Sequence, residues 1–247
     1  MILESSSSHL LFYRKIGPLT DEEFEIMKTH TTIGYNMCMR NPKLRPYSTG
    51  ALYHHEALNG SGYPRGIAAP NIPFEGQIIR VADEFDAITS KRQYKTHIGV
   101  CDTLNIIISE SSPKAGALNA LVQESKPDKS KREKYGKVNP RVVKALLKVI
   151  IDDTEYEMYN LGLYIDYLKE EIERLKIIEK YLEKYSTSTR KVDIEYYKAG
   201  MEQLFEQGET IENHASVLNE YKQAYEAKKE EMAKLNEELK KIKKLKV

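Results

Sequence analysis

From about residue 155 to its end, the chain returns to an apolar residue every three or four positions. Leu161, Ile165, Leu168, Ile172, Leu175 and Leu182 make a first run; Leu204, Ile211, Leu218, Tyr221, Tyr225, Met232, Leu235, Leu239 and Ile242 make a second. That spacing lines one side of an α-helix and no face of a strand. Lys and Glu fill the positions between, as on the polar face of a coiled-coil helix. The segment STSTRKVD, residues 186–193, separates the runs. At 1.5 Å per residue the first run extends about 45–50 Å and the second about 80 Å. The pattern predicts a long antiparallel coiled-coil hairpin over residues 154–247, with the second helix overhanging the first. A seam that overhangs beyond residue 225 needs cover, so a homodimer, or association with another protein through the coiled coil, is expected.

Charge and cysteine usage narrow the function classes. Lys and Arg number 38 against 37 Asp and Glu, a net charge of +1, which argues against bulk electrostatic binding to nucleic acid or a membrane surface. The two cysteines, Cys38 and Cys101, lie too far apart for zinc-type spacing and fit a reducing compartment. No apolar run reaches the roughly 20 residues of a membrane span. The opening MILESSSSHLLFYRK lacks the apolar core of a secretory signal. A cytoplasmic protein with neither nucleic-acid nor membrane partners is expected.

Residues 1–153 also read as helices. Thr20-Asp21-Glu22-Glu23 is a capping box. The helix it opens carries Ile26, His30, Ile33 and Met37 at spacings of four, three and four, placing His30 within an apolar face. There it is either a hydrogen-bonded core residue or a ligand. Pro42 and Pro46 precede a short helix, Ser48 to Leu58, with two histidines near its end. A helix after Pro73 sets Ile78, Val81, Ala82, Phe85 and Ile88 on one side and Arg80 and Glu84 opposite, with Asp83 and Asp86 on the flank beside Ile79. A carboxylate at the edge of an apolar stripe requires a partner, whether a neighbouring Arg or a metal. A helix near 100–110 and a charged segment between Ser111 and Lys137 follow. Asn139-Pro140 then caps RVVKALLKVI, predicted to close near residue 153.

The chemistry concentrates in His54 to Arg65, HHEALNGSGYPR. Neutral imidazoles beside a carboxylate are ready ligands for a borderline divalent metal. Gly60 and Gly62 allow close backbone approach, and Pro64 stiffens the exit. Neighbours on a helix point about 100° apart, so His54 and His55 would grip one site from its flank or divide between two ions. Further on, Lys91, Arg92 and Lys95 interleave with Tyr94, either as a solvated basic helix end or as a grip for a phosphodiester.

Two segments together, HHEALNGSGYP and VADEFDAITSKRQYK, resemble the HD-GYP family of cyclic-di-GMP phosphodiesterases, whose signature joins HHExxxGxGYP to VADxFDAxTxxRxYK. KTHTTIG is similar to the family's K-x-H-x-x-x-G segment. The resemblance implies an HD-GYP-like helical domain over residues 1–153. It implies a divalent metal (Fe, Mn or Zn) on His30, His54, His55 and Asp83, and a cyclic dinucleotide held by Tyr63, Arg92 and Lys95. Gln93 stands where the family commonly has Pro. The family's H-D-x-G-K motif would precede residue 10, where His9 is followed by Leu10. The resemblance therefore implies an incomplete domain, one ion rather than a bridged pair, and impaired hydrolysis. The alternatives are a non-catalytic module binding nucleotide or protein and oligomerising through the coiled coil, and a mainly structural coiled-coil protein.

Overall fold

Residues 19–90, 98–113 and 135–247 are described by a computed structural model, and every regular element among them is a helix. In order these are α1 (Asp21–Lys28), α2 (His30–Arg40), a 3-10 turn (Arg45–Tyr47), α3 (Ser48–Tyr53), α4 (Phe74–Thr89), α5 (Val100–Ser111), α6 (Pro140–Thr187), α7 (Lys191–Leu204) and α8 (His214–Ile242). The described residues up to Ile150, with Ile242–Val247, form one compact unit, and Ile151–Lys241 form a second.

In the first unit the predicted capping box opens α1. The Thr20 backbone N–H donates to the Glu23 carboxylate at 2.7 Å, and the Glu23 N–H donates to the Thr20 hydroxyl at 3.3 Å. The expected single helix through Met37 is interrupted at Thr29, which ends α1 and precedes α2. The Thr29, Thr31 and Thr32 hydroxyls each donate to the carbonyl three residues back, which competes with an uninterrupted helical ladder. The expected apolar face is also more open than its periodicity implied: Ile26, Ile33 and Met37 are all exposed, Met37 at 64%.

The core of this unit joins Val81 of α4, Ile107 of α5, and Val138, Val142 and Val143, with Phe85, Ile88, Ile108 and Leu146 packed against it. Ile107 and Val143 are fully buried, and each such side chain contributes about 1.5–3 kcal/mol. On α4 the polarity of the faces departs from expectation. Ile78 and Ile79 are exposed, whereas the Arg80 and Glu84 side chains are only 18% and 19% exposed. Glycines bring α3 against this helix, Gly50 facing the Ile79 side chain and Gly76 facing Tyr53.

Asn139 caps α6 as predicted, its side-chain oxygen accepting from the Arg141 N–H at 2.9 Å. No helix end occurs near residue 153; α6 runs unbroken for 48 residues. In the second unit, Ile172, Leu175 and Ile178 of α6 share a core with Met201 of α7 and Leu218 of α8. The predicted second run is two helices, not one. Residues 205–213 separate them, with Gly208 at φ 89°. Arg174 anchors this break, donating to the Leu204 carbonyl and to both carboxylate oxygens of Glu209, each at 2.7 Å. Thr210 and Asn213 then bond reciprocally ahead of α8. The seam of α8 beyond residue 225 is not left overhanging, because Leu239 is 6% exposed and Met232 lines a cavity with Met158 and Ile165 of α6.

Candidate metal centre

His30 opens α2 immediately after the Thr29 break, and its Nδ1–H donates to the Met27 carbonyl at 2.7 Å. His54 closes α3, and its Nδ1–H donates to the Ala51 carbonyl at 2.9 Å, with that of Gly50 at 3.2 Å. A carbonyl only accepts, so in each ring the proton sits on Nδ1, and the neutral ring carries a lone pair on Nε2. Those two Nε2 atoms lie 3.2 Å apart. Two facing lone pairs repel unless a cation lies between or beside them. Nitrogen ligands at about 2.1 Å from one ion stand about 3.0 Å apart in cis octahedral geometry and about 3.4 Å apart in tetrahedral geometry. The observed separation falls between these values, so the donor set fits a divalent ion. A backbone carbonyl behind each imidazole is the usual support of a metal-binding histidine.

His55 completes the cluster, with one ligand nitrogen from each of the three rings lying within 4.8 Å of the others. The short helix ends at Tyr53, not at Leu58 as expected. The reason is visible in the bonding: the Glu56 N–H turns back to Tyr53 at 3.0 Å, and the His55 carbonyl accepts from the Tyr63 N–H at 3.1 Å and from Arg80 Nη1 at 3.2 Å. Freed from helical geometry, the two adjacent imidazoles converge, with ring centroids 4.2 Å apart, where a continuous helix would have splayed them. Asp83 stands at the edge. Its carboxylate is 3.9 Å from His55 Nδ1 and half exposed.

Burial, followed by the neighbouring His54, His30 and Arg80, pushes the His55 imidazole down to about 3. Burial and the facing His30 lower His54 as well. Both rings are therefore neutral at pH 7, the form that donates a lone pair.

The loop after the histidines closes over them. Tyr63 stacks on His55 with centroids 4.7 Å apart and meets His30 edge-on. Gly62 packs on the backbone of His55, Glu56 and Ala57, leaving no space for a Cβ. Glu56, grouped with the histidines as a ready ligand in the sequence reading, faces elsewhere. It is 1% exposed and accepts from the Arg65 and Ile67 N–H groups at 2.7 and 3.1 Å. Arg92 and Lys95 lie outside the described residues. Among the described residues, Lys28 stands over the Phe24 and Tyr63 rings at 4.7 and 5.8 Å while pairing with Glu25.

Arg80 is a site residue that sequence reasoning assigned to the solvent face. It joins His55 to a half-buried charge cluster of Glu84, Glu110 and Lys137, in which Lys137 Nζ meets Glu110 at 2.6 Å. Burial and the adjoining Glu110 push Glu84 up to about 7. The only sequence signal was the Arg80–Glu84 spacing of four, which is common on exposed helices.

Residues 8–115 match the model of an HD domain family. A stretch of 83 residues is 54% identical to a cyclic di-GMP phosphodiesterase of Thermotoga maritima, covering 33% of this chain and 23% of that protein. Over 83 residues it is also 45% identical to the cyclic di-GMP phosphodiesterase response regulator RpfG of Xanthomonas campestris, covering 33% and 22%. A 3'3'-cGAMP-specific phosphodiesterase 2 of Vibrio cholerae is 37% identical over 83 residues, covering 33% and 16%. This stretch is an HD-GYP family domain. The chain spans less than a quarter of the length of each of these relatives. The His30–His54–His55 cluster, Tyr63 and Asp83 all lie within residues 8–115, which match the HD domain model. Among the described residues no helix is long and apolar enough to cross a membrane.

Proposed function

We propose that the chain binds a divalent metal (Fe, Mn or Zn) through His30, His54 and His55 with Asp83, and binds a cyclic dinucleotide beside it. The single observation that carries this reading is the pair of Nε2 atoms 3.2 Å apart, each ring oriented by a backbone carbonyl behind it. Tyr63 offers the nucleotide a ring face next to the site, and Arg92 and Lys95 supply positive charge for its phosphates. A bound divalent ion supplies Lewis-acid polarisation of the phosphodiester. The role of this chain's residues is to keep His54 and His55 neutral and the three imidazoles converging, and to close the loop over them.

Hydrolysis of cyclic-di-GMP is the reaction suggested by the relatives' names, and we infer that these 247 residues alone perform it slowly or not at all. The sequence contains no His-Asp dipeptide, and the described ligands are three imidazoles with one carboxylate at the edge. A bridged pair of ions needs a carboxylate between them, and losing such a group removes several kcal/mol of transition-state stabilisation, about a thousandfold in rate. The test is calorimetric titration of the Mn²⁺-loaded chain with cyclic-di-GMP, alongside chromatographic assay of turnover. Binding with negligible turnover supports the reading of an impaired enzyme or non-catalytic nucleotide module. Robust turnover abolished by His55→Ala would overturn the impairment, and absence of binding would remove the nucleotide. Self-association is part of the same proposal: Tyr156, Tyr159, Leu163 and Tyr167 form an exposed row on α6 at helical spacing.

A further inference from the structure

The three imidazoles are not held alike. His30 and His54 are each oriented by a backbone carbonyl on Nδ1. Among the described residues, no carbonyl accepts from a ring nitrogen of His55; Asp83 lies near Nδ1 only at 3.9 Å. Beside the His30 and His54 rings, the face of Tyr63 packs on the His55 ring, stacked at 4.7 Å with an interplanar angle of 24°. The Tyr63 ring is in turn placed by its loop. Its N–H is bonded to the His55 carbonyl at 3.1 Å, and Gly62 is pressed onto the Glu56 backbone.

The far end of that loop is held by Glu56. Its two carboxylate oxygens take the Arg65 N–H at 2.7 Å and the Ile67 N–H at 3.1 Å, and the side chain is 1% exposed. A buried carboxylate accepting two backbone donors is a strong clamp, because each donor would otherwise be left without a partner. Gly66, between the two donors, sits at φ 62°, which bends the chain so that both N–H groups reach one carboxylate.

Resting on the metal-site reading above, we propose that Glu56 is the positioning residue for His55, acting through the loop and the Tyr63 ring. It binds no metal itself. It does for the third imidazole what backbone carbonyls do for the other two. The sequence places Glu56 next to the ligands for this reason: one residue beyond His55, its side chain enters the loop that must fold back over that histidine.

The test uses the full-length chain and Co²⁺ alone, read by the d–d absorption of the bound ion and by competition with a chelator. Glu56→Gln keeps the volume but sets an amide NH₂ against a backbone N–H. It is expected to weaken Co²⁺ binding about tenfold and to change the absorption envelope. Tyr63→Ala should weaken it to a similar degree, and Glu56→Gln/Tyr63→Ala should be no weaker than either single variant. Glu56→Gln with wild-type affinity and spectrum would overturn the proposal, and so would additive losses in the double variant. If Glu56→Gln does not fold, Tyr63→Ala with unchanged affinity overturns it by itself. A wild-type chain that binds no Co²⁺ sinks the metal-site reading as well, a result distinct from either of these.

Discussion

His30 Nε2 and His54 Nε2 face each other at 3.2 Å across two helices, and the opposite nitrogen of each ring is committed to a backbone carbonyl. The pair is assembled from a helix start and a helix end. His30 follows the threonine-rich break between α1 and α2, and His54 caps α3. Both positions leave carbonyls available that the middle of a helix would have used in its own ladder.

His54→Ala removes one of the two facing lone pairs. Metal content measured by elemental analysis after loading with Mn²⁺, Fe²⁺ or Zn²⁺ should fall by at least tenfold. Far-UV circular dichroism should stay unchanged, because His54 lies at the end of a helix of only six residues. Wild-type chain that holds none of the three ions refutes the site.

Gly62 and Gly99 should respond oppositely to alanine. A Cβ at Gly62 would overlap the Ala57 nitrogen and the His55 carbonyl, whereas Gly99 has nothing within 4 Å and an ordinary φ of −64°. Gly62→Ala should displace the loop and lower thermal stability by about 2 kcal/mol or more, with loss of metal. Gly99→Ala should lie within about 0.5 kcal/mol of wild type. Equal melting temperatures for the two variants would contradict the packing described.

Ion pairs in the second unit differ in weight. Arg174, with side chain 17% exposed, bonds Glu171, Glu209 and the Leu204 carbonyl, whereas Lys191 and Glu195 are 89% and 69% exposed. Arg174→Ala should cost about 2–4 kcal/mol, since it strands two partly buried carboxylates and frees the α7–α8 connection. Lys191→Ala should change stability by less than about 0.5 kcal/mol. Chemical denaturation separates the two outcomes.

His214 opens α8 and is 3% exposed, with neither ring nitrogen bonded to a described partner. Burial lowers its pKa, Glu179 and Glu209 acting against this and Arg174 with it. The folded state thus keeps the ring neutral, while the unfolded chain takes up a proton near the ordinary value of 6.5. The stability it contributes is complete above about pH 6.5 and is lost as pH falls from there toward the folded value, at no more than about 1.4 kcal/mol per pH unit. His214→Leu should flatten the decline in melting temperature between pH 7.5 and 5.5. An identical decline in the variant would show that other groups drive it.

The exposed row on α6 gives a test of self-association. Sedimentation of the full chain at high micromolar concentration should report a dimer, and Tyr159→Glu with Leu163→Glu should convert it to a monomer. Both positions are over half exposed, so the double variant should keep its helix content. A wild-type monomer would remove the homodimer from the proposal.

The helical class, the capping box at Thr20, the Asn139-Pro140 helix start and the adjacent pair His54–His55 could all be read from the chain. Each depends on neighbours within a few positions: periodic apolar residues, a cap and its third residue, a motif of adjacent side chains. The sequence by itself determined the helices, their caps and the adjacent pair His54–His55. Only the tertiary structure decided how they are used, because that depends on contacts between segments far apart in sequence. His54 and His55 converge because the Tyr63 and Arg80 bonds to the His55 carbonyl end the helix early. Arg80 and Glu84 are half-buried because Glu110 and Lys137, 26 to 57 residues away, supply their charge partners. Glu56 turns from apparent ligand to clamp because the loop it precedes returns two backbone donors to it. The second helical run divides because the Arg174 guanidinium, on a different helix, offsets the loss of helical bonding around Gly208. In every case, local periodicity placed a side chain on a helix, and a distant partner set the free energy of exposing or burying it.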